Sequence, residues 1–291
     1  TFGIVRVRNR PMEVKRNIEK ARNGLARDTV GALRDAERAL KDARDIDGNN
    51  PEAIALSAQV AALLWRDYGD AEARKRAVAL IATGKAGTGG IVASYLIADE
   101  PQQRTAADAL LAVGAGGGPL GHNAIGRILR ARGDFTGALK HFERATKSVP
   151  PFLRAVTDLG DFYKDQGNLE QALNYYRTAK AAHPNHARSI IGAAEVRLQT
   201  GRDLKESLTE LRAVEADPQS APSGPDKLRF ELALAKVLAA NGDRAEALKR
   251  LVKATETITD RPEAFAAYAE VHALSGAHDK AELEAGRAVK M

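Results

Sequence analysis

The chain has 291 residues, of which 44% are hydrophobic, 28% are charged and 5% are aromatic. This apolar fraction is large enough to build a buried core, which excludes a wholly disordered chain. The absence of cysteine excludes disulfide bonds, thiolate metal sites and thiol nucleophiles. The formal net charge is +6, and the first fifty residues contribute 12 Lys and Arg against 8 Asp and Glu.

Residues 1–10 join a short apolar run to three arginines, Arg6, Arg8 and Arg10. This pattern is typical of the cytoplasmic edge of a membrane helix, and the alternative is a frayed chain end. Since the sequence starts at Thr1 and not at methionine, we expect it to be part of a longer protein. Residues 1–10 are then an N-terminal extension, or the tail of an upstream membrane segment or domain.

Residues 11–118 predict three irregular helical hairpins. The first, at about 11–47, places Val14, Ile18 and Leu25 at helical spacing. The second, 51–84, begins at a proline and is lengthened at its turn by the three extra residues 65–67.

The third irregular hairpin, 85–118, keeps the length of a repeat but has Val92 and Arg104 where small residues belong. Glycine-rich joints at 84–90 and 114–118 bound it. We predict two short helices between these joints, at 91–98 and 102–113.

A period of 34 residues becomes regular from Pro119 onwards. Six positions are followed 34 residues later by the same or a similar residue, namely Gly126 and Gly160, Gly133 and Gly167, Ala138 and Ala172, Phe142 and Tyr176, Ala145 and Ala179, and Pro150 and Pro184. Small residues let the two helices of a hairpin approach closely. A glycine followed by Asp134 or Asn168 supplies a turn and a helix cap, and proline ends the second helix.

This spacing resembles the tetratricopeptide repeat (TPR) family, and the resemblance is closest at 153–186. It implies an all-α fold, a right-handed α-solenoid of antiparallel helix hairpins that forms a TPR superhelix of about eight hairpins. Residues 119–218 would form three regular repeats, and 228–291 two C-terminal repeats. The segment 219–227 is a loop by composition. We favour a surface insertion over a hinge, because long surface loops cost little closure entropy.

Two glycine-rich segments resemble phosphate-binding loops, but each lacks a feature that such a loop requires. Residues 116–121 follow the pattern G-x-G-x-x-G, but they come after a helical pattern and not after a strand. Residues 84–90 contain a lysine but lack the order Gly-Lys-Ser/Thr. We interpret both as joints between repeats.

Other chemical signals are weak. His183 and His186 lie close together without a third ligand nearby in sequence, so we predict no metal site. Carboxylate pairs such as Asp158 and Asp161 are interpreted as solvated helix faces. The basic residues alternate with acidic ones and lack interleaved aromatics, which argues against nucleic-acid binding as the function. We predict no catalysis and no cofactor.

The resemblance also implies where a partner would bind. First helices of such repeats line a concave groove, and four places in each repeat tend to face it. In this chain those places include Asn123, Arg127 and Arg130, then Arg154, Thr157, Asp161 and Lys164, then Arg188 and Glu195. We expect Arg127 and Lys164 to be exposed and the groove to have a basic excess. Its partner would be a peptide or helix with acidic residues around an apolar anchor.

The predicted function is therefore a scaffold or adaptor that binds a protein partner in the concave groove, within a bacterial multiprotein or membrane-associated assembly. The alternative is a regulatory or docking segment of a larger enzyme, for example a kinase, with the catalytic domain upstream. We expect no small-molecule substrate and a cytoplasmic location. Membrane contact through the N-terminal region and a periplasmic location stay open.

Overall fold

The fold is an all-α solenoid, as the sequence predicts. The computed structural model describes residues 2–114, 117–255, 262–274 and 276–290, and these contain sixteen α-helices and no strand. The first eight helices are α1 (Phe2–Arg27), α2 (Val30–Ile46), α3 (Pro51–Tyr68), α4 (Ala71–Ala82), α5 (Gly87–Ile97), α6 (Glu100–Val113), α7 (Gly118–Ala131) and α8 (Phe135–Thr146). The others are α9 (Leu153–Asp165), α10 (Leu169–Ala182), α11 (Ala187–Thr200), α12 (Leu204–Ala216), α13 (Pro225–Ala240), α14 (Arg244–Thr255), α15 (Pro262–Leu274) and α16 (His278–Val289). Each helix packs against the next one along the chain.

The regular hairpins turn and cap as their sequence predicts. Gly133 has a φ of 82° and Gly167 a φ of 75°, in the left-handed region that side chains disfavour. The next residue is the N-cap of the second helix in each case. The Asp134 carboxylate accepts a hydrogen bond from the amide of Gly137 at 2.8 Å, and Asn168 Oδ1 accepts one from Gln171 at 3.1 Å.

Glycines in the first helices make room for aromatic rings of the second helices. A Cβ atom at Gly126 would lie 2.7 Å from the Phe142 ring. Gly160 and Gly192 both face Tyr176, so that one ring lies between two successive first helices. Because a methyl group at any of these positions would collide with the ring, the glycines fix the distance between the helices.

The irregular hairpin at 85–118 does form two helices, but the first begins earlier than predicted. Helix α5 starts at Gly87, inside the expected glycine-rich joint. The reason is packing against α3, since a Cβ atom at Gly89 would lie 2.7 Å from that of Ala55. Here tertiary contact outweighs the low helix propensity of glycine.

Two predicted boundaries differ from the structure. Helix α1 begins at Phe2, so residues 2–10 continue the first helix and do not form a separate extension. Helix α13 begins at Pro225, two residues before the predicted end of the loop 219–227. Gly224, with a φ of 59°, and Pro225 in the first helical position both favour that start.

The solenoid also folds back on itself. The loop before α13 packs against the N-terminal helices, where the Gly31 amide donates to the Gln219 carbonyl oxygen at 3.4 Å. Gly224 lies so close to α3 that a Cβ atom there would be 2.6 Å from the Asp67 carbonyl oxygen. Helix α3 therefore contacts α13, and α1 contacts α9. The expectation of a loop on the free surface is wrong, because the segment is packed between distant hairpins.

Apolar side chains form a continuous core through the N-terminal half as far as Phe152 and Ala155, and a second core runs from Ile190 to Val271. Aromatic residues of α8, α9 and α10 fill the space between the two. Within the described ranges, no helix combines the length and apolarity that crossing a membrane requires.

Candidate partner-binding surface

The nine predicted groove residues lie on α7, α9 and α11, three first helices that pack side by side. Asn123, Arg127 and Arg130 are on α7. Arg154, Thr157, Asp161 and Lys164 are on α9, and Arg188 and Glu195 are on α11. The structure thus brings the predicted residues together, but it pairs most of them with one another or with neighbouring helices.

Asp158 joins α7 to α9. It accepts hydrogen bonds from Asn123 Nδ2 at 2.7 Å and from two nitrogens of Arg127 at 2.6 and 2.8 Å. Burial alone would raise the pKa of Asp158, but the adjacent Arg127 guanidinium outweighs this effect and holds the pKa below its usual value. The interpretation of Asp158 and Asp161 as solvated is therefore wrong for Asp158, which is 4% exposed.

A second set of ion pairs joins α9, α11 and α13. Arg229 donates to Asp161 at 2.9 Å and to Glu195 at 2.8 Å, and Lys164 donates to Glu195. Asp161 also accepts a hydrogen bond from the Tyr176 hydroxyl at 2.7 Å. Burial would raise the pKa of Asp161, but Arg229 and Lys164 lower it well below its usual range.

These contacts form one surface that we call the ion-pair row. Its members are Arg127, Asp158, Asp161, Lys164, Glu195 and Arg229, together with the pair of Arg130 and Asp165. The expected exposure of Arg127 and Lys164 is not observed, since their side chains are 26% and 15% exposed and both carry carboxylate partners. The row holds four basic and four acidic side chains, so the expected basic excess is also absent from it.

Arg154 and Thr157 lie inside the protein and not on a groove. Arg154 is 1% exposed and donates to Asp28 and, at 2.5 Å, to Asp67. Thr157 is 2% exposed, and its hydroxyl donates to the carbonyl oxygens of its own helix. Neither side chain can contact a partner in this conformation, which corrects their assignment to the groove.

Arg188 contacts the same two carboxylates as Arg154, those of Asp28 and Asp67. It contacts Asp67 at 3.1 Å and Asp226 at 2.7 Å, and its Nε atom lies 3.8 Å from Asp28. We call Asp28, Asp67, Arg154, Arg188 and Asp226 the closure cluster, because they join the turn before α2, the end of α3 and the start of α13 to α9 and α11. The N-terminal hairpins thus contact Arg154 and Arg188, two of the residues that the sequence assigned to a ligand.

His186 borders the closure cluster and is fully buried. Neither ring nitrogen has a hydrogen-bond partner, and Nε2 lies 3.9 Å from Asp28 Oδ2, which also lacks one. Burial, reinforced by Arg188, lowers the pKa of His186 to about 3, whereas burial raises the pKa of Asp28. His186 is therefore neutral at pH 7.

A protein-family model described as the tetratricopeptide repeat matches residues 123–187 and 157–221. Residues 123–221 form tetratricopeptide repeats. A search of the curated proteins finds no match to this sequence.

Several solved structures are similar to this chain. The chain is similar to human IFIT1, solved as a dimer with m7Gppp-AAAA, at 13% identity and a TM-score of 0.52, over 89% of this chain and 68% of that one. It is also similar to TTC0263, a TPR protein of Thermus thermophilus, at 25% identity and a TM-score of 0.47, over 59% and 90% of the two chains. MamA of Desulfovibrio magneticus matches at 15% identity and a TM-score of 0.43, over 58% and 92%. The likeness to IFIT1 extends the solenoid fold beyond the matched repeats.

Sequence reasoning missed the acidic members of the closure cluster. A signal was present, because Asp67 lies in the extra residues 65–67 and Asp226 lies in the segment 219–227. Residues 65–67 lengthen a turn, the segment 219–227 shifts the 34-residue frame, and the two meet in the structure. No feature of the sequence marked Asp28 as a member of the closure cluster. In the structure it has a φ of 53°, which is rare for a residue with a side chain.

Proposed function

We propose that this repeat protein is a scaffold that holds protein partners within a multiprotein assembly. Tetratricopeptide solenoids are typical of protein–protein interaction, since they offer long surfaces of stacked helices. The observation that carries the proposal is the ion-pair row, in which charged side chains of both signs lie on four neighbouring first helices. The alternative of a docking segment for a larger enzyme has no support from the fold or the comparisons.

We propose that the partner segment carries acidic residues on either side of an apolar residue. Acidic groups of the partner would exchange with the row's own carboxylates, so the charges would orient the partner and speed its approach. Most of the affinity would come from the apolar residue. The equal numbers of acidic and basic groups in the row do not favour a polyanion such as nucleic acid.

A random peptide display library selected on the purified chain tests the proposal. Enriched peptides are expected to combine acidic residues with at least one large apolar residue, and to bind more weakly as salt rises. Arg130→Glu should weaken their binding about threefold to tenfold, because Arg130 is 30% exposed and its ion-pair partner is the exposed Asp165.

Arg132→Glu is the matched control. Arg132 follows the last residue of the same helix and pairs with Asp108 on α6, away from the ion-pair row. It should leave peptide binding unchanged. The proposal fails if no peptide is enriched, or if both arginine variants weaken binding equally.

A further inference from the structure

A cleft of about 550 Å³ opens where several helix ends meet in the N-terminal half. Its walls are the last turns of α1, the first turns of α3, α5 and α7, and the turn that precedes α9. The cleft is separate from the ion-pair row, and none of the nine predicted groove residues lines it. Its volume lies within the usual range for binding pockets, roughly 300–1,000 Å³.

The two glycine-rich joints build this cleft. Residues 87–89 and 117–118 line it, and they belong to the segments that first suggested phosphate-binding loops. Gly89 lets α5 lie directly against α3, while Cβ atoms at Gly87 and Gly118 would meet nothing within 4 Å. The rim at those two glycines is therefore bare backbone, which leaves the mouth of the cleft wide.

The interior of the cleft is apolar. Leu25, Leu56, Leu120 and Phe152 line it from four different helices or their ends. Val149, at the mouth, is 94% exposed. Burying such a side chain against another apolar group is favourable, so the exposed valine favours an apolar ligand.

Charged side chains stand at the rim of the cleft. Arg22 is neutralised by Glu19 and Glu52, so Lys85 is the lining cation that has no carboxylate partner among the described contacts. Lys85 donates to the side-chain oxygen of Asn49, a neutral partner, at 2.6 Å. The first residues of α5 and α7 line the cleft and have no side-chain cap, so the positive ends of two helix dipoles border it.

From the apolar interior, the exposed Val149 and the rim cation Lys85, we propose that the cleft is the anchor site for the protein partner. A partner segment would insert a large apolar side chain between Leu56 and Phe152 and place a carboxylate beside Lys85. The inference rests on the proposed scaffold function. It adds the site that supplies most of the binding affinity, because the balanced charges of the ion-pair row do not supply it. The occupant is an extended protein segment, and a free small anion is a competing outcome of the test.

Peptides selected from the random display library on the wild-type chain are the probe. Thr88→Trp, an exposed helix position that lines the cleft, should fill it and weaken peptide binding at least about tenfold. Thr105→Trp is the matched control, because Thr105 is an exposed threonine on α6 outside the cleft. It should bind as the wild type does.

Lys85→Glu provides a second test that does not depend on the tryptophan being tolerated. Lys85 is exposed in the turn before α5. Reversing its charge should weaken the binding of peptides that carry a carboxylate. The binding of the same peptides with that carboxylate amidated should be unchanged. Lys140→Glu, on the exposed side of α8, should have no effect.

The outcomes separate the two proposals. If peptides bind the wild type but Thr88→Trp and Lys85→Glu bind them equally well, the cleft is not the anchor site and the scaffold function stands. If acetate or phosphate alone displaces the peptides completely, the cleft is a small-anion site and the inference is wrong. If no peptide is enriched, the scaffold function itself fails.

Discussion

Removing Arg154 should destabilise the closed solenoid more than removing any exposed arginine. Arg154→Met keeps the apolar stem but withdraws the guanidinium that donates to Asp28 and Asp67. Asp67 would retain Arg188 at 3.1 Å, whereas Asp28 would retain only Arg188 at 3.8 Å and His186 at 3.9 Å. Leaving a buried carboxylate without its close partner costs about 3–5 kcal/mol in unfolding free energy.

Urea unfolding followed by circular dichroism measures this loss, and hydrogen exchange locates it. Exchange should accelerate in α1, α2, α3 and α9 more than in α15 and α16, because the closure cluster does not reach the last hairpin. Arg130→Met is the control, and its half-exposed ion pair should contribute less than about 1 kcal/mol.

A second substitution separates the lost charge pair from lost packing. Asn tolerates the left-handed backbone of residue 28, so Arg154→Met combined with Asp28→Asn should recover part of the stability by removing the unpaired charge. A loss below about 1 kcal/mol for Arg154→Met, or uniform exchange along the chain, would refute the reasoning.

Two further predictions concern His186 and the glycine contacts. The pKa of His186 is about 6.5 in the unfolded chain and about 3 in the folded chain, so this residue makes stability fall as pH drops between those values. The wild type should therefore lose more unfolding free energy than His186→Leu between about pH 7 and pH 5 in urea titrations, and equal losses would contradict the assignment. Gly160→Ala should cost about 1–3 kcal/mol, because its methyl group would collide with Tyr176. Gly286→Ala, which meets nothing within 4 Å in α16, should be neutral or stabilise the chain in thermal melts, and similar effects of the two would contradict the packing argument.

Local features of the fold could be predicted from the sequence because each depends on neighbours within one or two repeats. The turn at Gly133, the cap at Asp134 and the space for a ring at Gly160 all follow from the 34-residue period. The start of α5 at Gly87 did not follow, since it depends on contact between Gly89 and Ala55.

The candidate site was predicted less well than the fold. The repeat frame correctly places Arg127, Lys164 and Glu195 on neighbouring helices. It does not reveal which charges pair, because a periodic pattern carries no information about side-chain partners on adjacent repeats. The bond between Arg154 and Asp28 spans 126 residues, and no local spacing predicts a contact of that range.

The contact between α3 and α13 changes how this array can be cut and rearranged. In an open solenoid each repeat touches only its neighbours, so end repeats can be deleted one at a time with a proportionate loss of stability. Here the segment from Asp28 to Asp226 is closed by ion pairs at both ends. Deleting the first two hairpins would leave the buried Arg154 without Asp28 and Asp67, and Arg188 with Asp226 alone. We therefore expect the first thirteen helices to behave as one module, and the α15–α16 hairpin to be the described part that can be removed or exchanged by itself.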